Sequence, residues 1–154
     1  MAMLKTLETY LNQNKVKYQV LSHSVAYTAQ EIAALEHVPG RKMAKVVMVK
    51  KDGRSVMAVL PSIYRVDLER LNKILGGTVE LETEREFKGL FSGCETGAEP
   101  PFGNLFDVDV WVDTTLTEND DIVFNAGTHK DTVRMRYEDF ARLVKPTVAE
   151  FSHH

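Results

Sequence analysis

Lys45 is the only charged residue in the apolar run from Met43 to Val49, which is predicted to be a buried strand. A buried ammonium without a partner is strongly disfavoured, so such a lysine needs a counter-charge, a shifted pKa or a polar ligand. The alternative is a lysine that protects an exposed strand edge from aggregation. Considered by itself, the strand favours that alternative.

A second candidate is the loop over residues 92 to 104, which contains Gly97, Pro100, Pro101, Phe102 and Gly103. Glycines let a backbone approach a ligand closely, and prolines hold a loop in one shape. Such a loop can present amide N–H groups to a carbonyl oxygen or a developing oxyanion. Considered alone, it is more typical of a stiff surface connection.

A third candidate is the turn that begins at Asn125 and includes Gly127, Thr128 and His129. Asparagine can hold an amide or a hydroxyl, and histidine titrates near neutrality and can position a water molecule. The alternative is an asparagine that caps a tight turn beside an exposed histidine.

Other polar residues give weaker indications. His23 and Tyr27 lie among hydroxyl side chains that suit either a pocket rim or an ordinary loop. Cys94 has no adjacent basic group that would lower its pKa, so it is predicted to be inert. The acidic residues match no known metal loop, and no metal is predicted.

Composition limits the class of protein. The 154 residues are 44% hydrophobic and 27% charged, which indicates one globular domain. A net charge of −3 excludes a protein that coats nucleic acid but allows a local basic patch. The single cysteine and the lack of a membrane span or signal peptide predict a cytoplasmic protein. Two groups of basic residues could form such a patch, or they could simply lie on solvated strands and turns. They are Arg41, Lys42, Lys45, Lys50, Lys51 and Arg54, and His129, Lys130, Arg134 and Arg136.

Periodicity and capping residues predict a mixed α/β domain with one central sheet, because helices and strands interleave and Asp52-Gly53 predicts a hairpin. Helices are predicted over residues 4–11, from Thr28 to about His37, from Asp67 to Leu75, from Thr83 and over 137–143. Strands are predicted over residues 16–21, 43–49, 55–60, 108–112, 121–125 and 132–135.

The lysine strand, the Gly-Ala-x-Pro-Pro-Phe-Gly loop and the Asn-Ala-Gly-Thr-His turn occur in an order that resembles the YbaK/ProX-type aminoacyl-tRNA deacylases. This domain also occurs as the editing insertion of bacterial prolyl-tRNA synthetases. The resemblance implies one domain over residues 1–154, with a mixed, curved, barrel-like central sheet flanked by helices. It places a pocket between the lysine strand and the loop.

The activity implied is hydrolysis of the ester that joins an amino acid to the terminal adenosine of tRNA, without a cofactor. The implied partners are the acceptor end of misacylated tRNA and, as a further candidate, an aminoacyl-tRNA synthetase. Lys45 would grip the substrate near the ester, the amides around Gly97 and Gly103 would face its carbonyl, and His129 would complete the catalytic group. The predicted substrate-binding residues are His23, Tyr27, Pro101, Phe102, Asn125, Gly127 and Thr128.

Members of the family that act on Cys-tRNA tend to have serine where this chain has Asn125, and aspartate where it has Thr132. In this respect the chain is closer to members that remove other small amino acids such as Ala, Ser or Thr. The implied substrate is a small amino acid of the set Ala, Ser, Thr and Cys. An aminoacyl ester is already activated, so positioned water and oxyanion stabilisation suffice without a covalent nucleophile. The alternatives are a non-catalytic module that binds aminoacyl-tRNA or a nucleotide, and an esterase or amidase for a small metabolite.

Overall fold

The computed structural model describes residues 3–154, within which five helices and ten strands form one mixed α/β domain. The helices are α1 (Lys5–Gln13), α2 (Ala29–Leu35), α3 (Leu68–Leu75), α4 (Glu84–Phe87) and α5 (Tyr137–Val144). The strands are β1 (Tyr18–Ser22), β2 (Ala44–Lys51), β3 (Arg54–Pro61), β4 (Arg65–Val66), β5 (Val79–Leu81), β6 (Asp109–Asp113), β7 (Asp121–Asn125), β8 (Asp131–Arg136), β9 (Thr147–Ala149) and β10 (Ser152–His153).

The predicted helix starts are confirmed by their capping bonds. The Thr28 hydroxyl accepts a hydrogen bond from the Glu31 amide at 3.1 Å, and Thr83 forms the predicted capping box with Glu86. Asp67 caps α3, which ends at Gly76 in the left-handed conformation. These bonds satisfy amide groups that helices leave without internal partners, which is why the capping residues were readable from sequence.

A five-stranded sheet has the order β5-β2-β3-β6-β9. The predicted hairpin joins β2 and β3 through Asp52 and Gly53, which both have positive φ, as a tight hairpin turn requires. Strand β6 runs parallel to β3, and β9 runs parallel to β6. The sheet is therefore mixed, as predicted.

The prediction of one central sheet is wrong, because β1, β8 and β7 form a separate antiparallel sheet of three strands. A parallel bridge between Met43 and Val123 connects the two larger sheets, and β4 pairs only with β10. Strand pairing over residues 3–154 closes no barrel, so the predicted barrel-like curvature is not confirmed. This bridge is the one pairing found between the β2 and β7 segments within residues 3–154, and the candidate site described below lies beside it.

Apolar side chains pack in three clusters around these sheets. The largest contains Phe102, Phe124 and Phe140, all fully buried, together with residues of α1. A second cluster lies under α3, and a third places Ile32 of α2 over Met43 and Val123. Helix α2 therefore covers the bridge between the two sheets.

Candidate functional site

Strands β2 and β7 meet at one bridge, and no further pairing between them is found within residues 3–154. At their bridge, the Val123 amide donates to the Lys42 carbonyl at 2.9 Å. Two residues farther along each strand, Lys45 and Asn125 project to the same side as the bridging pair, because side chains in strands alternate with a period of two. The next strand contact on this edge of β2 is the Glu82 amide, which donates to the Met48 carbonyl at 3.0 Å. We call the gap between residues 44–47 and Asn125 the β2–β7 cleft.

Lys45 is half-buried in this cleft. The ion pairs and side-chain hydrogen bonds found within residues 3–154 do not include its ammonium, although eight other ion pairs occur there. Burial lowers the pKa of Lys45, and the positive charge of Arg65 lowers it further. The site thus holds a desolvated cation beside another cation, which favours binding of an anionic or polar ligand.

Backbone hydrogen bonds join the glycine-proline loop to the Asn125 turn. The Gly127 amide donates to the Ala98 carbonyl at 3.0 Å, and the Glu95 amide donates to the Gly127 carbonyl at 2.8 Å. Gly127 has a φ of +94°, and a Cβ there would lie 2.7 Å from the Cβ of Leu4. The structure therefore brings together the two predicted segments, and only glycine fits their junction.

His129 contacts the same loop with both its backbone and its ring. Its amide donates to Glu95 Oε1 at 2.6 Å, and its Nε2 lies 2.9 Å from the Thr96 carbonyl. The exposed ring of Tyr27 packs against the imidazole at a centroid distance of 4.7 Å. Because a carbonyl can only accept, Nε2 carries a proton in this contact and Nδ1 is left as an acceptor in the neutral ring.

Two buried acceptors in this region have no hydrogen-bond partner among residues 3–154: Nδ1 of His129 and Oδ1 of Asn125. Leaving such atoms unsatisfied is unfavourable, so their presence favours a site that a polar ligand completes. Both residues were predicted from sequence as candidate site residues.

The role predicted for Gly97 is not available in this arrangement. Gly97 adopts a φ of +92°, and its amide donates to Glu99 Oε2 at 2.9 Å. The neighbouring Ala98 amide donates to the Glu95 carbonyl at 3.0 Å. Both amides are used inside the loop, so neither faces the cleft as a free donor.

Pro101, Phe102 and Gly103 are buried, which argues against the predicted contacts with substrate or its carbonyl. The Phe102 ring lies 5.5 Å from Phe124 and 5.4 Å from Phe140 between centroids. A Cβ on Gly103 would lie 2.5 Å from the Val108 carbonyl oxygen. These residues hold the loop on the core and have a structural role.

Thr128 also has a structural role. Its hydroxyl donates to Asp131 Oδ2 at 2.7 Å and accepts from the Asp131 amide at 3.0 Å. Asp131, which was not predicted, is almost fully buried and accepts a further hydrogen bond from Ser22 at 2.9 Å. Position 132, where members that act on Cys-tRNA tend to have aspartate, is a threonine whose hydroxyl donates to Glu36. The aspartate of this chain is one residue earlier. Loop acids of this kind carry no sequence signal that distinguishes them from solvated ones.

His23 lies in a separate cavity of about 440 Å³ that residues 21–24 and 35–37 line. Its Nδ1 is 2.5 Å from the Ser24 carbonyl, and its Nε2 is 3.8 Å from Glu36 Oε2. Burial raises the pKa of Glu36, although the Thr132 hydrogen bond and His23 oppose this effect. The structure therefore does not place the His23 ring among the residues that face the β2–β7 cleft.

Glu99 is a buried carboxyl group that sequence reasoning missed. Burial raises its pKa, the hydrogen bond from Gly97 opposes this rise, and nearby Glu84 adds to it. Burial and Glu99 together raise the pKa of Cys94 to about 12. The thiol therefore stays protonated at neutral pH, which supports the prediction that Cys94 is inert.

The two predicted cationic groups are partly neutralised. Lys42 and Arg134 both pair with Asp121, at 3.0 and 2.5 Å, and Lys50 pairs with Glu86. Within residues 3–154, no three His, Cys, Asp or Glu side chains are grouped as metal ligands. No helix in that range is both long and apolar enough to cross a membrane.

Comparison with known proteins identifies relatives of this chain. The family model described as an aminoacyl-tRNA editing domain matches residues 23–143. The chain is 27% identical to the "Multifunctional Ser/Thr-tRNA deacylase ProXp-y" of Escherichia coli strain K12 over 147 residues, which cover 92% of this chain and 87% of that protein. It is 23% identical to the "Prolyl-tRNA editing protein ProX" of Acetoanaerobium sticklandii, over 88% of this chain and 86% of that one.

Solved structures share the fold. A crystal structure described as that of a candidate trans-editing enzyme for prolyl-tRNA synthetase superposes with a TM-score of 0.83 at 19% identity, covering 98% of this chain and 97% of the other. A hypothetical protein superposes with a TM-score of 0.87 at 20% identity, over 97% and 100% of the two chains. Because the family model matches well over half of the residues, the chain belongs to the aminoacyl-tRNA editing domain family.

Proposed function

We propose that this protein is a trans-editing hydrolase that cleaves the aminoacyl ester of misacylated tRNA in the β2–β7 cleft. The observation that carries the proposal is the half-buried Lys45 ammonium on the same face as Asn125, with unsatisfied acceptors on Asn125 and His129. A cation suits the terminal phosphate or ribose of tRNA, and the acceptors suit hydroxyl and ammonium groups of the substrate. Family membership and the names of two relatives support this activity.

His129 is the proton acceptor in this mechanism. Water attacks the ester carbonyl carbon and transfers a proton to the unpartnered Nδ1 of His129. The tetrahedral intermediate then breaks its bond to the ribose oxygen, which takes the proton back from the imidazolium. The products are a free amino acid and a tRNA with a free terminal hydroxyl group. Lys45 holds the tRNA end during both steps.

The proposed substrates carry a small amino acid such as alanine, serine, threonine or cysteine. The unpartnered Oδ1 of Asn125 can accept from a hydroxyl group of the substrate, which favours a side chain that is small or carries a hydroxyl group. Size alone discriminates weakly, since one methylene group is worth only about 1–3 kcal/mol. We therefore expect activity on several of these charged tRNAs rather than on one.

The remaining proposals concern the scope of the protein. We propose that residues 1–154 form one editing domain whose two larger sheets curve around the core in a barrel-like manner. The proposed location is the cytoplasm, where charged tRNA is used. The proposed partner is the acceptor end of tRNA, with an aminoacyl-tRNA synthetase as a candidate donor of the substrate.

Turnover of a panel of charged tRNAs tests this function. The purified protein is mixed with Ala-, Ser-, Thr-, Cys- and Pro-charged tRNAs, and the remaining ester is measured over time against a buffer control. The proposal predicts hydrolysis of at least one of the small amino acids at catalytic protein concentration. A binding module would instead slow spontaneous ester loss. Equal hydrolysis of free aminoacyl esters would indicate a small-metabolite esterase.

A further inference from the structure

The backbone of Val46 points away from its hairpin partner. The Ser62 amide donates to the Met43 carbonyl at 2.7 Å, which extends the register of the β2–β3 ladder by one pair. Hydrogen-bonded and non-hydrogen-bonded pairs alternate in an antiparallel ladder, so Val46 and Val59 form a non-hydrogen-bonded pair. The N–H and C=O of Val46 therefore face the other edge of β2.

On that edge, no strand reaches Val46. On either side of Val46, the Lys42 carbonyl accepts from β7 and the Met48 carbonyl accepts from the Glu82 amide. If β5 continued in its register, Glu84 would lie opposite Val46. Helix α4 begins at Glu84 and turns the chain away. Within residues 3–154, Val46 pairs with Val59 of β3, and the bridge nearest to it on the other edge of β2 is that between Met43 and Val123.

The burial pattern of β2 agrees with an open edge at this position. Residues 45–47 are partly exposed, whereas Ala44 and Met48 on either side are only 2% and 4% exposed. Residues 45–47 are thus more exposed than the residues that flank them on the same strand. The exposure is local to the β2–β7 cleft.

Asn125 presents backbone groups to the same gap. The Ala126 amide donates to the Asp131 carbonyl at 3.0 Å, so the alternate residue Asn125 directs its N–H and C=O away from β8. Those groups face β2, with which β7 forms a bridge at Val123 but none at Asn125. The cleft is therefore lined by main-chain donors and acceptors in addition to the Lys45 side chain.

We propose that Val46 binds the aminoacyl ester as one strand residue binds another. Its N–H donates to the ester carbonyl oxygen, and its C=O accepts from the α-ammonium group. An aminoacyl group carries a nitrogen donor and a carbonyl acceptor on either side of one carbon, which is the pattern that a residue presents in a hydrogen-bonded antiparallel pair. This inference rests on the proposed deacylase function.

The Val46 amide then takes the role predicted for Gly97. The Gly97 and Ala98 amides are used within the loop, whereas the Val46 N–H lies next to Lys45 on an edge where no strand residue pairs with it. As water attacks, negative charge develops on the carbonyl oxygen, and a fixed N–H stabilises that charge more than the starting carbonyl. These contacts use only atoms common to all amino acids, so Val46 supports several substrates and selectivity depends on Asn125.

A backbone ester at Val46 tests the inference. Replacing this residue with 2-hydroxyisovaleric acid, in the full-length protein, exchanges the N–H for an oxygen and keeps the side chain. We expect kcat to fall by about 10²–10³-fold with little change in KM, as for the loss of one oxyanion donor. The thermal unfolding midpoint should change little, because this N–H belongs to no ladder bond.

A matched variant acts as the control. A backbone ester at Val47, whose N–H faces β3, should lower the unfolding midpoint instead. Wild-type hydrolysis together with an unchanged kcat for the Val46 ester would overturn the role of Val46. A wild-type protein inactive on every charged tRNA would overturn the proposed function itself.

Discussion

Two unsatisfied acceptors, Asn125 Oδ1 and His129 Nδ1, are the residue-scale features that need explanation. Each buried polar atom without a partner costs about 1–3 kcal/mol of folding free energy. An apolar side chain at either position would avoid that cost. Their lack of partners is explained if a ligand supplies the missing donors.

The residue-scale prediction concerns His129. Replacing it with alanine removes the proposed proton acceptor and should lower kcat by about 10²–10⁴-fold. His37→Ala is the matched control, because that exposed histidine follows α2 and lines the separate His23 cavity, so its loss should leave kcat unchanged. Single-turnover hydrolysis of a charged tRNA measures both variants. An equal loss in both, or in neither, would remove His129 from the mechanism.

Sequence reasoning identified residue types in this site better than it identified their roles. Lys45, Asn125 and His129 were predicted, because a lysine in an apolar strand and polar side chains at a turn are visible as patterns. Gly97 and Phe102 were assigned to the substrate, but the first donates to Glu99 and the second packs in the core. Which way an amide or a ring points depends on packing that no local pattern records.

At the element scale, the site results from strands that stop pairing. The long strands were predicted from their alternation, but β4, β5, β9 and β10 were missed because each has only two or three residues. One of them matters for the proposed site, since β5 ends at Leu81 and does not pair with Val46. Pairing between distant segments is a tertiary property, so the cleft could not be derived from periodicity.

Asp113 at the end of β6 fixes the C-terminal segment. One carboxylate oxygen accepts from the Phe151 and Ser152 amides at 2.8 and 2.9 Å, and the other accepts from the Ser152 hydroxyl and from Thr115. Burial raises the pKa of Asp113, but these hydrogen bonds outweigh it and hold the pKa below its ordinary value. This clamp also supports β4, which pairs with β10 and carries Arg65.

The element-scale prediction is that Asp113→Asn destabilises the protein by about 2–3 kcal/mol at pH 7, because buried donors lose their acceptor. A lowered carboxyl pKa adds stability above the unfolded value of about 3.9, and that stability is lost as pH falls through the folded value. The difference between the variant and the wild type should therefore shrink in acid.

Urea unfolding at pH 7 and pH 3 measures this difference. Asp109→Asn serves as the control, because Asp109 is exposed on the same strand and should have little effect at either pH. A difference for Asp113→Asn that does not depend on pH would contradict the ionised clamp.

At the scale of the whole molecule, charge is distributed rather than concentrated. The net charge is −3, and several cations of the two sequence groups pair with Asp121 or Glu86. The Lys42–Asp121 pair therefore joins the two sheets near the bridge, while Arg65 is the charge nearest to Lys45 that affects its pKa. A protein of this charge binds a tRNA end through a few local contacts rather than through a broad basic face.

The Lys45→Ala protein gives the most direct test of the account. Single-turnover hydrolysis of a misacylated tRNA that the wild type cleaves is compared for the wild type, Lys45→Ala and Lys51→Ala, a lysine of the same strand outside the cleft. We expect Lys45→Ala to lose about 10²-fold or more in rate, with an unchanged unfolding midpoint, and Lys51→Ala to match the wild type. Full activity of the folded Lys45→Ala protein would contradict the assignment of this cleft as the hydrolytic site.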